Sequence, residues 1–218
     1  MKRLIIAIDG PSGAGKGTVA RAVASNLGYR HVDSGAMYRA VGWKALREGI
    51  ALDDEAGVSA LASRAHIDVG GTTTVDGEDV TRAIRTPEID RAAAAVARLP
   101  TVRTILVARQ RELAANGGIV MEGRDIGTVV FPHADVKLYL DASAEERARR
   151  RAHDPAHHGG PEKVSDVVTL LTERDRLDST RAASPLYAAA DAIVIDTTGK
   201  KVEEVVDEVM AIVRQKLA

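Results

Sequence analysis

The chain has 218 residues, 45% of them hydrophobic and 28% charged, with 30 Lys and Arg against 31 Asp and Glu for a formal net charge of −1. These values describe one ordinary globular domain with room for a small insertion, and the near-neutral balance gives no general drive toward nucleic acid or an anionic membrane. The absence of cysteine excludes disulfides, thiolate metal sites and cysteine nucleophiles, and no apolar run approaches the ~20 residues of a membrane span. The opening MKRLIIAIDG has a basic start but a short apolar run and no small-residue cleavage site, so no signal peptide is expected and a cytoplasmic protein is.

Strand and helix patterns alternate from the start. Residues 4–8 are wholly apolar, as in a strand covered on both faces. A glycine-rich stretch follows at 10–15, and Val19, Ala20, Val23, Ala24 and Leu27 then recur at helical spacing until Gly28 ends the helix. Residues 29–32 read as a second strand, and Ser34 as the N-cap of a helix running to about Glu48 and closed by Gly49. Between about 51 and 100 the character changes. Residues 53–63 look helical, 66–80 carry hairpin punctuation, and 92–97 form an alanine-rich helix stopped at Pro100, so an insertion with its own small sheet is expected. The alternation returns with a helix from 101 to 115, a buried strand at 119–121 and another at 136–140. Ser143 with Glu146 makes a capping box before an arginine-rich helix, and 153–161 (HDPAHHGGP) reads as a loop. Residues 164–177 are helical, 192–195 make a last strand, and Val202, Val205, Val206, Val209, Ile212 and Val213 mark a closing amphipathic helix. Helices of this length between strands imply a parallel sheet with ligands at the carboxyl ends of its strands.

Residues 10–18, GPSGAGKGT, follow a buried strand and open a helix, the context a phosphate-binding loop requires. Gly10, Gly13 and Gly15 remove the Cβ atoms that would keep polyphosphate from main-chain N–H groups, with Pro11, Ser12 and Ala14 completing the curve. The helix beginning at Lys16 presents its positive end, and Lys16 reaches the β- and γ-phosphates of a nucleoside triphosphate. Such loops usually place Ser or Thr directly after the lysine to hold Mg²⁺. Here Gly17 intervenes and Thr18 follows, which leaves metal contact by Thr18 open between direct and water-mediated.

GKGT resembles the loop of nucleoside monophosphate kinases. Three further segments, Asp33-Ser-Gly-Ala-Met-Tyr38-Arg39, Gly123-Arg124-Asp125-Ile-Gly-Thr128 and Glu173-Arg174-Asp-Arg176-Leu-Asp178-Ser-Thr-Arg181, taken with the loop and with Ser184-Pro-Leu186, closely resemble the bacterial-type cytidylate kinases, in order across essentially the whole chain. The resemblance implies an α/β fold, the three-layer α/β/α P-loop architecture around a parallel sheet of about five strands. It also implies a core of residues 1–50, 101–150 and 182–218, an acceptor-binding insertion at about 51–100 and a lid at about 151–181. The implied reaction is transfer of the ATP γ-phosphate to CMP or dCMP, with Mg²⁺, and a monomer without nucleic-acid or membrane partners is expected. Carried over by position, Arg39 and Arg124 hold the acceptor phosphate beside Tyr38. Ser34, Arg103, Asp125 and Arg181 surround the cytosine ring, and Arg174 and Asp178 lie near the pentose. Ala94 stands where the family often has Ser, removing one hydroxyl contact to the sugar.

The chain has 22 Arg and only 8 Lys, which fits either coding bias or phosphate recognition by the planar guanidinium fork. Phosphoryl transfer needs alignment and charge neutralisation rather than a covalent nucleophile, a role suited to Lys16 and to lid arginines. Arg147, Arg150 and Arg151 share a helical face at i, i+3, i+4, which suits an anionic partner or a solvated basic surface; Arg150 and Arg151 are the catalytic candidates with Lys16 and Arg124. Leu138-Tyr-Leu-Asp141 imitates a magnesium-binding strand end but directly precedes the Ser143 cap, and His153, His157 and His158 lack partner ligands at a fixed spacing. The rivals are a kinase for UMP or AMP and a nucleotide switch. Guanine-reading switches carry N-K-x-D, and no such tetrapeptide occurs here.

Overall fold

A computed structural model describes residues 3–154 and 164–217. Its centre is a five-stranded parallel sheet in the order β2-β6-β1-β7-β8, built from β1 (Ile5–Asp9), β2 (Arg30–Asp33), β6 (Ile119–Gly123), β7 (Val136–Asp141) and β8 (Ile193–Asp196). The expected sheet and strand number are therefore present. β1 lies in the middle, and its alternating side chains divide between two cores. Ile6 and Ile8 pack with α1 (Lys16–Leu27) and α8 (Val202–Leu217), through Val19, Val23, Val205 and Val209. Ala7 faces the opposite layer of α2 (Ser34–Arg47) and α5 (Pro100–Leu113). Apolar residues on both faces explain why the opening strand reads as a continuous hydrophobic run.

The segment between α2 and α5 forms α3 (Glu55–Arg64), a three-stranded antiparallel sheet of β3 (Ile67–Val69), β4 (Thr73–Val75) and β5 (Glu78–Asp79), and α4 (Pro87–Val96). Asp76 and Gly77, both at positive φ, make the turn before β5. Val58, Leu61, Val75 and Ile84 belong to the same apolar cluster as Ala7 and Met121, so the small sheet shares its core with one face of the large one. By contrast, α6 (Ala144–Ala152) and α7 (Val164–Thr180) meet around a separate minor cluster of Ala148, Val167 and Leu171.

Several local expectations change. Asp33, not Ser34, caps α2, accepting the Ala36 N–H at 3.1 Å, because the Ser34 hydroxyl donates to the Glu122 carbonyl at 2.7 Å. The alanine-rich helix begins at Pro87 behind a Thr86 cap, well before residue 92, and Pro100 opens the next helix at its first position rather than merely stopping the last. Only half of the capping box forms. Ser143 Oγ accepts the Glu146 N–H, but the Glu146 carboxylate turns to Arg149 and Arg150. After β6 the chain makes a one-turn π-helical segment, Ile126–Val130, that no periodicity announced. Asp9 anchors it by accepting the N–H groups of Ile126 and Gly127 at 2.8 and 2.7 Å. Burial pushes the Asp9 carboxyl up to about 6 against the pull of those two bonds. His157 and His158 lie outside the described residues, as does most of the 153–161 loop. Among the described residues no helix is long and apolar enough to cross a membrane.

Helices α2 and α4 cross closely at Gly42, where an added Cβ would stand 2.9 Å from the Ala92 Cβ. Gly42→Val should therefore force α4 outward and lower the unfolding free energy by about 1–3 kcal/mol in a urea titration. A change within experimental error would mean that the crossing has slack.

Candidate active site

The phosphate loop is shaped by what surrounds it. Gly10 turns the chain off β1 at φ 145, and any Cβ there would collide with the Leu140 carbonyl oxygen on β7. Gly13, at φ 80, faces the Arg147 carbonyl, which a Cβ would approach to 2.7 Å. Gly15 precedes α1 at φ 88 with no side-chain cap, leaving the helix start open to the cleft. Lys16 is buried and curls back to donate to the Pro11 carbonyl at 2.7 Å. Burial first, and then the nearby Arg124 charge, bring its ammonium down to about 7. Gly17 has a physical reason, since a Cβ at this position would meet Glu122 Oε1 at 2.9 Å. Glu122 closes β6 and is held through its other neighbour, His31, whose Nε2 lies 3.1 Å from Oε1.

A cleft of about 810 Å³ opens above the loop and is lined by Ser12, Gly13, Ala14, Gly15, Lys16, Gly17 and Thr18. Ser34, Tyr38, Arg39, Arg103, Arg124, Asp125, Arg150, Arg151, Arg174, Asp178 and Arg181 line the same cleft. Gly10 and Pro11 support the loop from outside it. Residues separated by most of the chain length are thus brought together at the carboxyl ends of β1, β2 and β6, where open α/β sheets bind ligands.

Inside the cleft, arginines and carboxylates alternate. Asp33 takes Arg85 at 2.7 Å and Arg39 at 3.9 Å; burial would raise its carboxyl, but these two cations outweigh it and hold it at about 2. Asp90 on α4 pairs with Arg39 at 2.9 Å and with Arg151. Asp178 accepts Arg124 Nε at 2.9 Å, with Arg174 and Arg181 at 3.5 and 3.7 Å. Asp125 is paired with the buried Arg103, and Arg181 stands 3.9 Å from its other oxygen. Ser184, at φ 52, supports both of those arginines, its hydroxyl accepting Arg103 Nε at 3.2 Å and its carbonyl accepting Arg181 Nε at 2.6 Å. The Arg103 guanidinium also lies 5.4 Å from the Tyr38 ring centre, and burial pushes the Tyr38 hydroxyl up to about 12.

The arginine face of α6 does not act as one surface. Arg147 is buried, bonded to the Ser12 and Ala142 carbonyls and paired with Asp175. Arg150 turns to Thr197, donating to its hydroxyl at 2.9 Å and its carbonyl at 2.6 Å, beside Gly15. Arg151 turns the opposite way, to Asp90. Asp141 caps its own neighbour Ala142 at 2.8 Å and does not line the cleft, in keeping with a helix-entry role. Sequence reading missed Asp33, Arg85, Asp90, Glu122, Ser184 and Thr197 as site residues. The Thr86-Pro87-Glu88 helix start was the available signal for Asp90, because it sets that residue on a helix.

Comparison with known proteins places the whole chain in one family. Residues 6–215 match the family model described as cytidylate kinase. A cytidylate kinase of Pelotomaculum thermopropionicum is 52% identical over 94% of this chain and 94% of its own length. One from Solibacter usitatus is 48% identical over 99% of this chain and 94% of its own. Among solved structures, a shikimate kinase from Bacteroides thetaiotaomicron matches 97% of this chain and 98% of its own at a TM-score of 0.53 and 10% identity. A shikimate kinase from Acinetobacter baumannii, solved with shikimate, matches 98% and 94% at 0.51 and 17% identity. These two share the fold alone. From its ordered motifs, its cleft and its close relatives, the chain belongs to the cytidylate kinase family of ATP-dependent nucleoside monophosphate kinases.

Proposed function

We propose that the chain transfers the γ-phosphoryl group of ATP to CMP or dCMP, forming the diphosphate and ADP. One observation carries this reading: the phosphate loop shares its cleft with a buried carboxylate flanked by two guanidiniums, Asp125 with Arg103 and Arg181. Cytosine offers an N4 amino donor and N3 and O2 acceptors, which suit a carboxylate on one edge and an arginine on the other. Uracil would turn O4 toward the carboxylate, and a site built on hydrogen bonds rejects such a mismatch strongly. Ser34 completes the base pocket. Arg39 and Arg124 hold the acceptor phosphate beside Tyr38, and Arg174 with Asp178 meets the pentose. Ala94 offers no hydroxyl to the sugar, which removes one contact that could set the balance between CMP and dCMP.

On the donor side the loop N–H groups and the start of α1 bind the triphosphate, and Lys16 leaves Pro11 for the β- and γ-phosphates. Arg150 and Arg151 add positive charge around the moving phosphoryl group. Among the described residues no group of three or more His, Cys, Asp or Glu side chains is placed to hold a metal. Mg²⁺ needs no such group, since it takes one or two protein oxygens and draws its other ligands from phosphate and water. Thr18 and Glu122, which both line the cleft beside the phosphate loop, would offer the protein oxygens for it. When bound, the ion neutralises charge on the phosphates.

We assign the core to residues 1–50, 101–150 and 182–218, the acceptor-binding insertion to about 51–100 and the lid to about 151–181. The separate apolar cluster of Ala148, Val167 and Leu171 packs α7, the helical part of the lid, against α6, whose last two residues begin the lid. The near-neutral formal charge of −1 supports small-nucleotide substrates rather than nucleic acid, and we assign a monomer in the cytoplasm.

Initial rates with CMP, UMP, AMP and GMP at fixed ATP test the reading, and CMP should exceed the others by at least about a hundredfold in kcat/KM. Equal rates, or ADP formation indifferent to CMP, would overturn it in favour of another acceptor or a nucleotide switch. Asp125→Asn, which preserves shape, should lower kcat/KM for CMP about a hundredfold while ATP affinity stays within about twofold. Equal loss on both substrates would make Asp125 structural. Lys16 supplies a pH test. Its lowered value near 7 must rise when polyphosphate arrives, so ATP binding between pH 7 and 8.5 should take up protons and weaken as pH rises. Calorimetry in two buffers of different ionisation heat should detect that uptake, and Lys16→Met should abolish it.

A further inference from the structure

Asp90 stands at a junction of four helices. It lies in the first turn of α4, where a negative side chain complements the helix dipole. Its Oδ1 accepts the Nε–H of Arg39 on α2 at 2.9 Å, and its Oδ2 accepts Nη2–H of Arg151 on α6. Its main-chain carbonyl accepts Nη1–H of Arg174 on α7 at 2.8 Å. All four side chains line or border the cleft, and the Asp90, Arg39 and Arg151 side chains are 16%, 13% and 19% exposed, so solvent screens the bridge only partly.

The geometry at Arg39 is informative. Asp90 takes the Nε edge of the guanidinium and leaves the Nη pair to other partners; the nearest carboxylate oxygen there, Asp33 Oδ2, is 3.9 Å from Nη1. A phosphate dianion is best gripped by two parallel N–H groups. A carboxylate bound at Nε therefore fixes the plane of the fork while its gripping edge stays available. The second oxygen of the same carboxylate draws in Arg151, whose charge would otherwise be repelled by Arg39. One small side chain thus sets the orientation of an arginine on the core helix and the approach of the helices that carry Arg151 and Arg174.

We propose that Asp90 is a positioning residue for the phosphoryl acceptor: it turns Arg39 toward the acceptor phosphate and ties α6 and α7 to the acceptor side of the cleft, so that their closure depends on Arg39 being correctly set. The inference rests on the reading of Arg39 as an acceptor-phosphate residue. A rival geometry has Asp90 competing with that phosphate for the same cations, and the two make opposite predictions.

The test is steady-state kinetics of Asp90→Asn, Arg151→Gln and the double variant, with thermal unfolding of each. Asp90→Asn should raise KM for CMP about tenfold, leave KM for ATP within about twofold and lower kcat. In KM for CMP the double variant should be no worse than the poorer single one, because both break the same bridge; kcat stands apart, since Arg151 also adds charge at the phosphoryl group. Tighter CMP binding, equal rises in both KM values or additive rises in KM for CMP would overturn the proposal. If Asp90→Asn does not fold, Arg151→Gln alone carries the test, and an unchanged KM for CMP refutes it. Arg39→Gln separates the two levels. If it leaves CMP binding intact, the assignment of Arg39 fails and the inference with it; if it weakens CMP while Asp90→Asn does not, only the inference fails.

Discussion

Positive charges gathered to receive phosphate repel one another before any phosphate arrives, and the cleft is organised around that constraint. Lys16 and the guanidiniums of Arg39, Arg85, Arg103, Arg124, Arg150, Arg151, Arg174 and Arg181 all line one space. Their repulsion is answered by carboxylates, each shared between cations: Asp33 by Arg39 and Arg85, Asp90 by Arg39 and Arg151, Asp125 by Arg103 and Arg181, and Asp178 by Arg124, Arg174 and Arg181. Sharing leaves every arginine incompletely neutralised, and an anion entering the cleft still finds donors. It also stitches α2, α4, α7 and the end of β6 together, so much of the cleft wall is held by ion pairs rather than by apolar packing. Removing one member of a buried pair is costly because the survivor remains charged in poor solvent.

What could be read from the residues in order follows from the range of the interactions. The phosphate loop lies in consecutive positions and its glycines signal their own backbone need, so it was visible without tertiary information. β1 and the start of β6 were visible too, because a strand buried on both faces reads as an apolar run, whereas β2, β7 and the largely exposed edge strand β8 could be read only with the help of their places between helices. The partners of the arginines were not. Arg39 meets Asp90 across 51 positions and Arg103 meets Ser184 across 81, and nothing local marks such pairs. Gly17 shows the same limit: the departure from the usual loop could be seen, but its cause, the Glu122 carboxylate, comes from another strand. At Asp33-Ser34 two good caps stood side by side, and the choice was settled by the Glu122 carbonyl that occupies the serine hydroxyl.

The solved structures that share this frame at 10% and 17% identity are named for a different acceptor. A layered parallel sheet with a loop at one strand end fixes where a phosphoryl donor lies and says little about what receives it. In this chain the residues proposed to select the acceptor sit on helices and turns between the strands, Arg103 on α5 and Arg181 just past α7. They can vary while the strands keep their register. Ser184 shows how such a place is kept, since its left-handed backbone turns one residue's hydroxyl and carbonyl toward two arginines.

Ser12 in the loop is gripped from outside the sheet. Its carbonyl accepts Arg147 on α6 at 3.1 Å, and its N–H points at Asp175 on α7, a longer contact of 3.4 Å. Asp175 in turn pairs with Arg147, closing a small ring. The floor of the donor pocket and the roof helices are therefore parts of one linkage. Any swing of α6 and α7 away from the sheet must pull on the loop or break that ring, so the stiffness of the phosphate cradle depends on how those two helices are seated.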